Sequence, residues 1–154
     1  MYRFHNKVVE FLLVHPGGPF WRNKDEGAWS IPKGEFEEDE QALDTAIREF
    51  KEELGLDAAG PFTALKPVKQ LGGKRIYAWA MQADMDVRNI ISNTFVTEWP
   101  PRSGIMETFP EVDKAGWFSA AIAKDKINPA QVSLLTELIK LKKSSFSASD
   151  VSGG

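Results

Sequence analysis

The chain has 154 residues, 42% of them hydrophobic and 27% charged, the balance of an ordinary soluble globular protein with one domain large enough for a real core. A net charge of −3 with no basic block argues against duplex DNA or an anionic membrane surface as main partner. The absence of cysteine excludes disulfides, zinc–thiolate centres and a cysteine nucleophile, and two histidines, His5 and His15, are too few for a histidine-rich metal site.

Met1 to Phe4 precede a turn at His5-Asn6-Lys7, and VVEFLLVHP (8–16) is a short apolar run that reads as a buried strand. Gly17-Gly18-Pro19 breaks it. The next segment, FWRNKDEGAWSIPKGE (20–35), mixes aromatics, basic residues and glycine. It can be a plain surface loop. A binding role is also written in it: Trp21 and Trp29 offer flat faces on which a base can stack, worth ~1–3 kcal/mol, and Arg22, Lys24 and Lys33 offer charge for phosphates. Lys33 and Gly34 are placed with the metal ligands, because a glycine's backbone freedom can aim a carbonyl at a cation.

From Gly34 to Leu56 runs GEFEEDEQALDTAIREFKEELGL. Leu43, Ala46, Ile47, Phe50 and Leu54 form an apolar stripe at helical spacing. Glu37, Glu38, Asp39 and Glu40 stand where a helix N-terminus welcomes negative charge, and Gly55 stands where a left-handed cap ends one. On the other face, Glu49, Glu52 and Glu53 lie at i, i+3 and i+4, with Cβ atoms roughly 5–6 Å apart. Carboxylates this crowded repel one another and raise one another's pKa. A hard divalent cation such as Mg²⁺ or Mn²⁺, which prefers oxygen ligands, removes that conflict. An acidic helix face alone can equally be solvated surface.

After a turn at 58–61, PFTALKPVKQL (61–71) and KRIYAWAMQA (74–83) read as two strands joined by Gly72-Gly73. Lys66, Lys69, Lys74 and Arg75 put positive charge on this hairpin, either as a solvated edge or as phosphate contacts. Tyr77 and Trp79 read first as packing residues; Tyr77 is kept with Lys74 as a candidate substrate contact. Residues 84–94 read as loop, FVTEW (95–99) as a strand stopped by Pro100-Pro101, RSGIMETFPE (102–111) as a mobile stretch, and the end of VDKAGWF (112–118) as a strand. Ser119 can cap a short helix over 120–127, and Asn128-Pro129 opens a last helix over 129–143. Residues 144–154 read as a disordered tail. No apolar run reaches the ~18 residues of a membrane span and no signal peptide leads the chain, so the expected location is cytoplasmic.

Gly34, Glu40, Arg48, Glu49, Glu52, Glu53 and Gly55 fit the pattern Gly-x5-Glu-x7-Arg-Glu-U-x-Glu-Glu-x-Gly-U, where U is a bulky aliphatic. This resembles the Nudix hydrolase signature at every polar and glycine position, with Phe50 a larger apolar residue at the first U. Trp29-Ser-Ile-Pro-Lys33-Gly34 is similar to the approach to the box in the diadenosine-polyphosphate branch. The tyrosine that branch often places some 17 residues after the box, and the proline of ADP-ribose members, have no match here. The relatives also carry a longer first strand, so either this strand is short or the start lies upstream.

The resemblance implies a Nudix α/β/α sandwich over 1–143, a mixed sheet between the box helix and the C-terminal helix. It implies a hydrolase that cleaves a phosphoanhydride with one to three Mg²⁺ or Mn²⁺ ions. Glu52 and Glu53 would be the main ligands, Glu49 a ligand or base, and Arg48 the group that orients Glu49 or Glu52. Glu40 would serve in structural ion pairs. In several relatives a glutamate about six residues before the tryptophan of the late strand is a ligand or base; Glu111 fits, with Glu107 and Glu98 behind it. The expected partner is a small nucleotide, a dinucleoside polyphosphate or nucleoside triphosphate, bound by a monomer or homodimer. The alternatives are an RNA 5′ pyrophosphohydrolase and a non-catalytic nucleotide-binding module.

Overall fold

A computed structural model describes residues 1–32, 42–69, 73 and 75–152, with side chains described as far as Lys143. Strand β1 (Tyr2–His5) turns at Asn6 and Lys7, both at positive φ (50° and 66°), into β2 (Val8–Pro16). Such a two-residue turn matches the right-handed twist of the paired strands. The chain then continues through helix α1 (Ala42–Leu54), the two-residue strands β3 (Thr63–Ala64), β4 (Val68–Lys69), β5 (Arg75–Ile76) and β6 (Trp79–Ala80), and strands β7 (Thr94–Glu98), β8 (Met106–Pro110) and β9 (Val112–Ser119). Helix α2 (Ala120–Lys126), a 3₁₀ turn (Pro129–Gln131) and helix α3 (Val132–Ser152) follow.

The central sheet has the order β1-β2-β9, all antiparallel. On the β1 edge the chain at 81–83 runs parallel: Tyr2 N–H donates to Met81 C=O and Ala83 N–H to Tyr2 C=O, both at 3.0 Å. The sheet is therefore mixed. Because strand side chains alternate, β2 feeds both faces of it. Leu12 and Val14 pack with Phe50 and Leu54 of α1, and Phe11 and Leu13 with Leu135 and Leu138 of α3. One apolar strand thus cores two helical layers, and the α/β/α sandwich follows.

Five expectations change. The stretches 61–71 and 74–83, expected as two strands, hold among the described residues four two-residue strands instead, β3 paired with β6 and β4 with β5. The stretch 102–111 contains a strand: β8 pairs with β7 from Thr94–Pro110 to Glu98–Met106, closing a hairpin in which Phe95 and Thr97 of β7 and Phe109 of β8 are half-buried. The last helix begins at Val132, because Asn128 Oδ1 accepts Ala130 N–H (3.0 Å) and shapes 129–131 into a 3₁₀ turn first. Its backbone also runs to Ser152, past 143, since no glycine or proline interrupts it before Gly153. Ser119 stands at the start of α2, but its side chain makes no capping hydrogen bond.

Candidate active site

Helix α1 carries its carboxylates to the end that Gly55 terminates. Gly55 has φ +71° and donates its N–H to Lys51 C=O at 2.7 Å. A Cβ there would stand 2.9 Å from Ile91 O, so glycine permits both the left-handed turn and the close approach of the 91–93 segment. That segment is stitched to the helix. Ile91 N–H donates to Leu54 C=O (3.2 Å) and Asn93 N–H to Glu52 C=O (2.7 Å).

The stitching continues to Glu111. Glu111 N–H donates to Asn93 C=O (2.8 Å), Gly17 N–H donates to Glu111 C=O (2.9 Å), and Ser92 Oγ accepts Val112 N–H (3.0 Å). A backbone ladder therefore runs from the helix end through Asn93 to Glu111 and on to the exit of β2. Gly17 is buried in it; a Cβ at that position would lie 2.0 Å from Pro110 O.

The side chains converge accordingly. Arg48 Nη1 donates to both oxygens of Glu52 (3.1 and 3.2 Å) and lies 3.2 Å from Glu49 Oε1. Burial, and then the neighbouring Glu52 and Glu111 carboxylates, push the Glu49 carboxyl above its ordinary value against the opposing pull of Arg48. Glu49 is also within hydrogen-bonding reach of Glu52. Glu53 is buried at 9% exposure on the same last turns. Among the described residues, no three acidic or histidine side chains close into a ready-made cation site. The donor set nevertheless fits a hard divalent ion in its chemistry: oxygen ligands alone, mutually repulsive and partly desolvated.

Arg48, Glu49 and Glu52 are thus brought together, with Glu53 beside them on the helix and Glu111 near enough for its charge to act on Glu49. The fallback glutamates belong to the β7–β8 hairpin, where the Glu98 carboxylate accepts Arg102 N–H (2.6 Å). Lys33, Gly34, Glu40 and Lys74 lie outside the described residues. Arg22 and Tyr77 are exposed.

Trp29 is not a base platform. It is 5% exposed, edge-on to Phe118 and His15, and its Nε1–H donates to Asp25 Oδ1 at 2.8 Å. Ser30 takes the edge of β2 beyond the reach of β1 (Val14 N–H to Ser30 C=O, 2.8 Å), and this carries the neighbouring indole into the core. The other aromatics of the segment are Phe20, 66% exposed, and the half-buried Trp21, packed edge to face with Lys24 above them.

Sequence reasoning missed three positioning residues. Gln131 is fully buried, and its Oε1 accepts Ile31 N–H (3.0 Å), tying the backbone at Ile31 to the C-terminal part of the chain. His15 is 1% exposed, with Nδ1 2.9 Å from Asp113 Oδ1 and Nε2 2.6 Å from Lys24 O. Asn93 acts through its backbone alone. The first two were marked only as polar residues inside apolar runs; Asn93 carried no signal.

A mixed-sheet α/β/α sandwich that gathers glutamates at the end of one helix defines a class of hydrolase scaffold. The chain belongs to the Nudix family: the model of the NUDIX domain matches residues 1–138. No curated protein matches in sequence. Among solved structures, it is similar to the NUDIX domain of Shewanella oneidensis NrtR complexed with ADP ribose, with TM-score 0.59 and 17% identity over 90% of this chain and 81% of that one. It is likewise similar to the C. elegans Ap4A hydrolase in a binary complex (TM-score 0.58, 21% identity, 93% of each chain). The E. coli ORF135 protein matches with TM-score 0.53 and 21% identity, over 93% of this chain and 87% of that one. At these identities the likeness to solved structures establishes the fold.

Proposed function

We propose that the protein is a divalent-metal-dependent pyrophosphohydrolase that cleaves a phosphoanhydride in a nucleoside diphosphate-linked substrate, a dinucleoside polyphosphate or a nucleoside triphosphate. One observation carries the reading: α1 sets the largely buried Glu49 and the neighbouring Glu52 around the single guanidinium of Arg48, at 3.2 and 3.1 Å, a crowding of carboxylates that a cation would relieve. Glu52, Glu53 and Glu111, with the carbonyls of Lys33 and Gly34, would hold Mg²⁺ or Mn²⁺. When bound, such an ion neutralises phosphate oxygens and lowers the pKa of water.

The chain's own residues do the rest. Arg48 keeps the Glu52 carboxylate in one orientation through its paired contacts. Glu49, its carboxyl already raised, accepts the proton of the attacking water as the new O–P bond forms and the bridging P–O bond breaks. Retention of every box glutamate supports an enzyme over a non-catalytic nucleotide-binding module.

The test is a substrate panel of dinucleoside polyphosphates, nucleoside triphosphates, nucleotide sugars and 5′-triphosphorylated RNA with Mg²⁺ or Mn²⁺, followed by product analysis. Turnover of the first two groups is expected. If no member is cleaved faster by the wild type than by Glu52→Gln, the reading fails.

A further inference from the structure

The joint between β8 and β9 carries a bend that strand pairing does not account for. Pro110 ends β8 and Val112 opens β9, so Glu111 stands between two strands that pair with different partners, β7 and β2. The register of β9 on β2 also slips here, between His15 and Pro16. In a regular strand successive N–H groups point to opposite edges. At the joint two in a row turn to one segment: Glu111 N–H donates to Asn93 C=O (2.8 Å) and Val112 N–H to Ser92 Oγ (3.0 Å).

Val112 is only 4% exposed, so its N–H needs a partner within the protein, and the half-buried Ser92 hydroxyl supplies it. The same hydroxyl donates to Asn93 C=O at 2.8 Å, so that carbonyl receives both Ser92 Oγ–H and Glu111 N–H. Val112 N–H and Glu111 C=O belong to one peptide group. Ser92 Oγ therefore holds one side of that peptide, and Gly17 N–H holds the other at 2.9 Å. Asn93 N–H in turn donates to Glu52 C=O (2.7 Å), which ties the whole arrangement to the last turns of α1.

We propose that Ser92 is a positioning residue: its hydroxyl fixes the Glu111–Val112 peptide and so sets where the Glu111 carboxylate stands relative to the glutamates of α1. The inference rests on the hydrolase reading above and deepens it, because a hard cation demands closely placed oxygen ligands. Without the hydroxyl, Val112 N–H is left buried and unpaired. Rotation of the peptide relieves that cost, breaks the bond to Gly17 and carries Glu111 away from α1.

The test is the Mn²⁺ affinity of the full chain without substrate, read from the EPR signal of the free ion. Ser92→Ala should weaken binding about tenfold or more, and Ser92→Thr, which keeps the hydroxyl, should stay within about twofold of wild type. The loss should vanish where Glu111 is already changed: Ser92→Ala combined with Glu111→Gln should bind no more weakly than Glu111→Gln alone. Melting temperatures confirm that the variants compared are folded. Should alanine prevent folding, Ser92→Cys, of similar size but a weaker acceptor, replaces it with the same expectation. A serine with a structural role only would lower the melting temperature and leave the Mn²⁺ Kd unmoved; that result overturns the proposal, as does additivity with Glu111→Gln. An unchanged Kd in Glu111→Gln overturns it too, and removes Glu111 from the cation site. Mn²⁺ binding that depends on both residues, in a protein that cleaves nothing, would keep the role of Ser92 and remove the hydrolase reading.

Discussion

Glu52 has a half-exposed carboxylate clamped by Arg48 and pressed against Glu49. Glu52→Gln keeps the size of the side chain and removes its charge. Hydrolysis should then fall by at least about 100-fold, with the melting temperature within about 2 °C of wild type. A parallel loss of fold would make the residue structural instead. Gly17 tests the ladder behind Glu111. A methyl group 2.0 Å from Pro110 O must displace the end of β8 just before Glu111, so Gly17→Ala should cost about 1–3 kcal/mol in a denaturant melt. Its kcat should drop further than the folded fraction explains; a folded variant with wild-type kcat would show that the ladder does not set the position of Glu111.

Among the elements, the 20–30 segment is held by side-chain pins as well as by its turns. Asp25 accepts the Trp29 indole N–H and pairs with Lys126 on α2, tying the segment to the C-terminal half of the chain. The Lys126 hydrogen bond, then that of Trp29, hold the Asp25 carboxyl below its ordinary value of 3.8. A depressed carboxyl contributes stability above its unfolded pKa and loses it as pH falls through the lower, folded value. Denaturant midpoints measured against pH should therefore decline from about pH 3.8 downward, and Asp25→Asn should flatten that part of the decline. An identical acid limb in the variant would show that the pin carries no charge-dependent stability.

For the whole molecule, cation binding and folding are linked, because the convergence of α1 with the 111 region exists only in the folded chain. An ion at 100 times its Kd adds about 2.7 kcal/mol, or about 5–10 °C in a domain of this size. Mg²⁺ or Mn²⁺ should raise the melting temperature accordingly, and Glu52→Gln should shrink the shift. A melting temperature indifferent to both ions in the wild type would remove the carboxylate cluster as a cation site. Among the described residues, no helix is long and apolar enough to cross a membrane.

Local information in the sequence determined a good deal. The three- and four-residue spacing of Glu49, Glu52 and Glu53, the cap at Gly55, the hairpin turn at Asn6-Lys7 and the two-faced apolar strand 8–16 all follow from periodicity or from a backbone angle, and α1, β1 and β2 lie where these place them. Tertiary structure alone decided which distant groups meet. The backbone of Glu111 is tied to the end of α1 through Asn93, a residue no local pattern marks, and its charge thereby acts on Glu49. Trp29 and Phe20 are both aromatic residues in one short segment, yet Phe118 and Ile127 cover the first while little covers the second. Burial is a property of whatever packs across from a residue, and that partner is supplied from far along the chain.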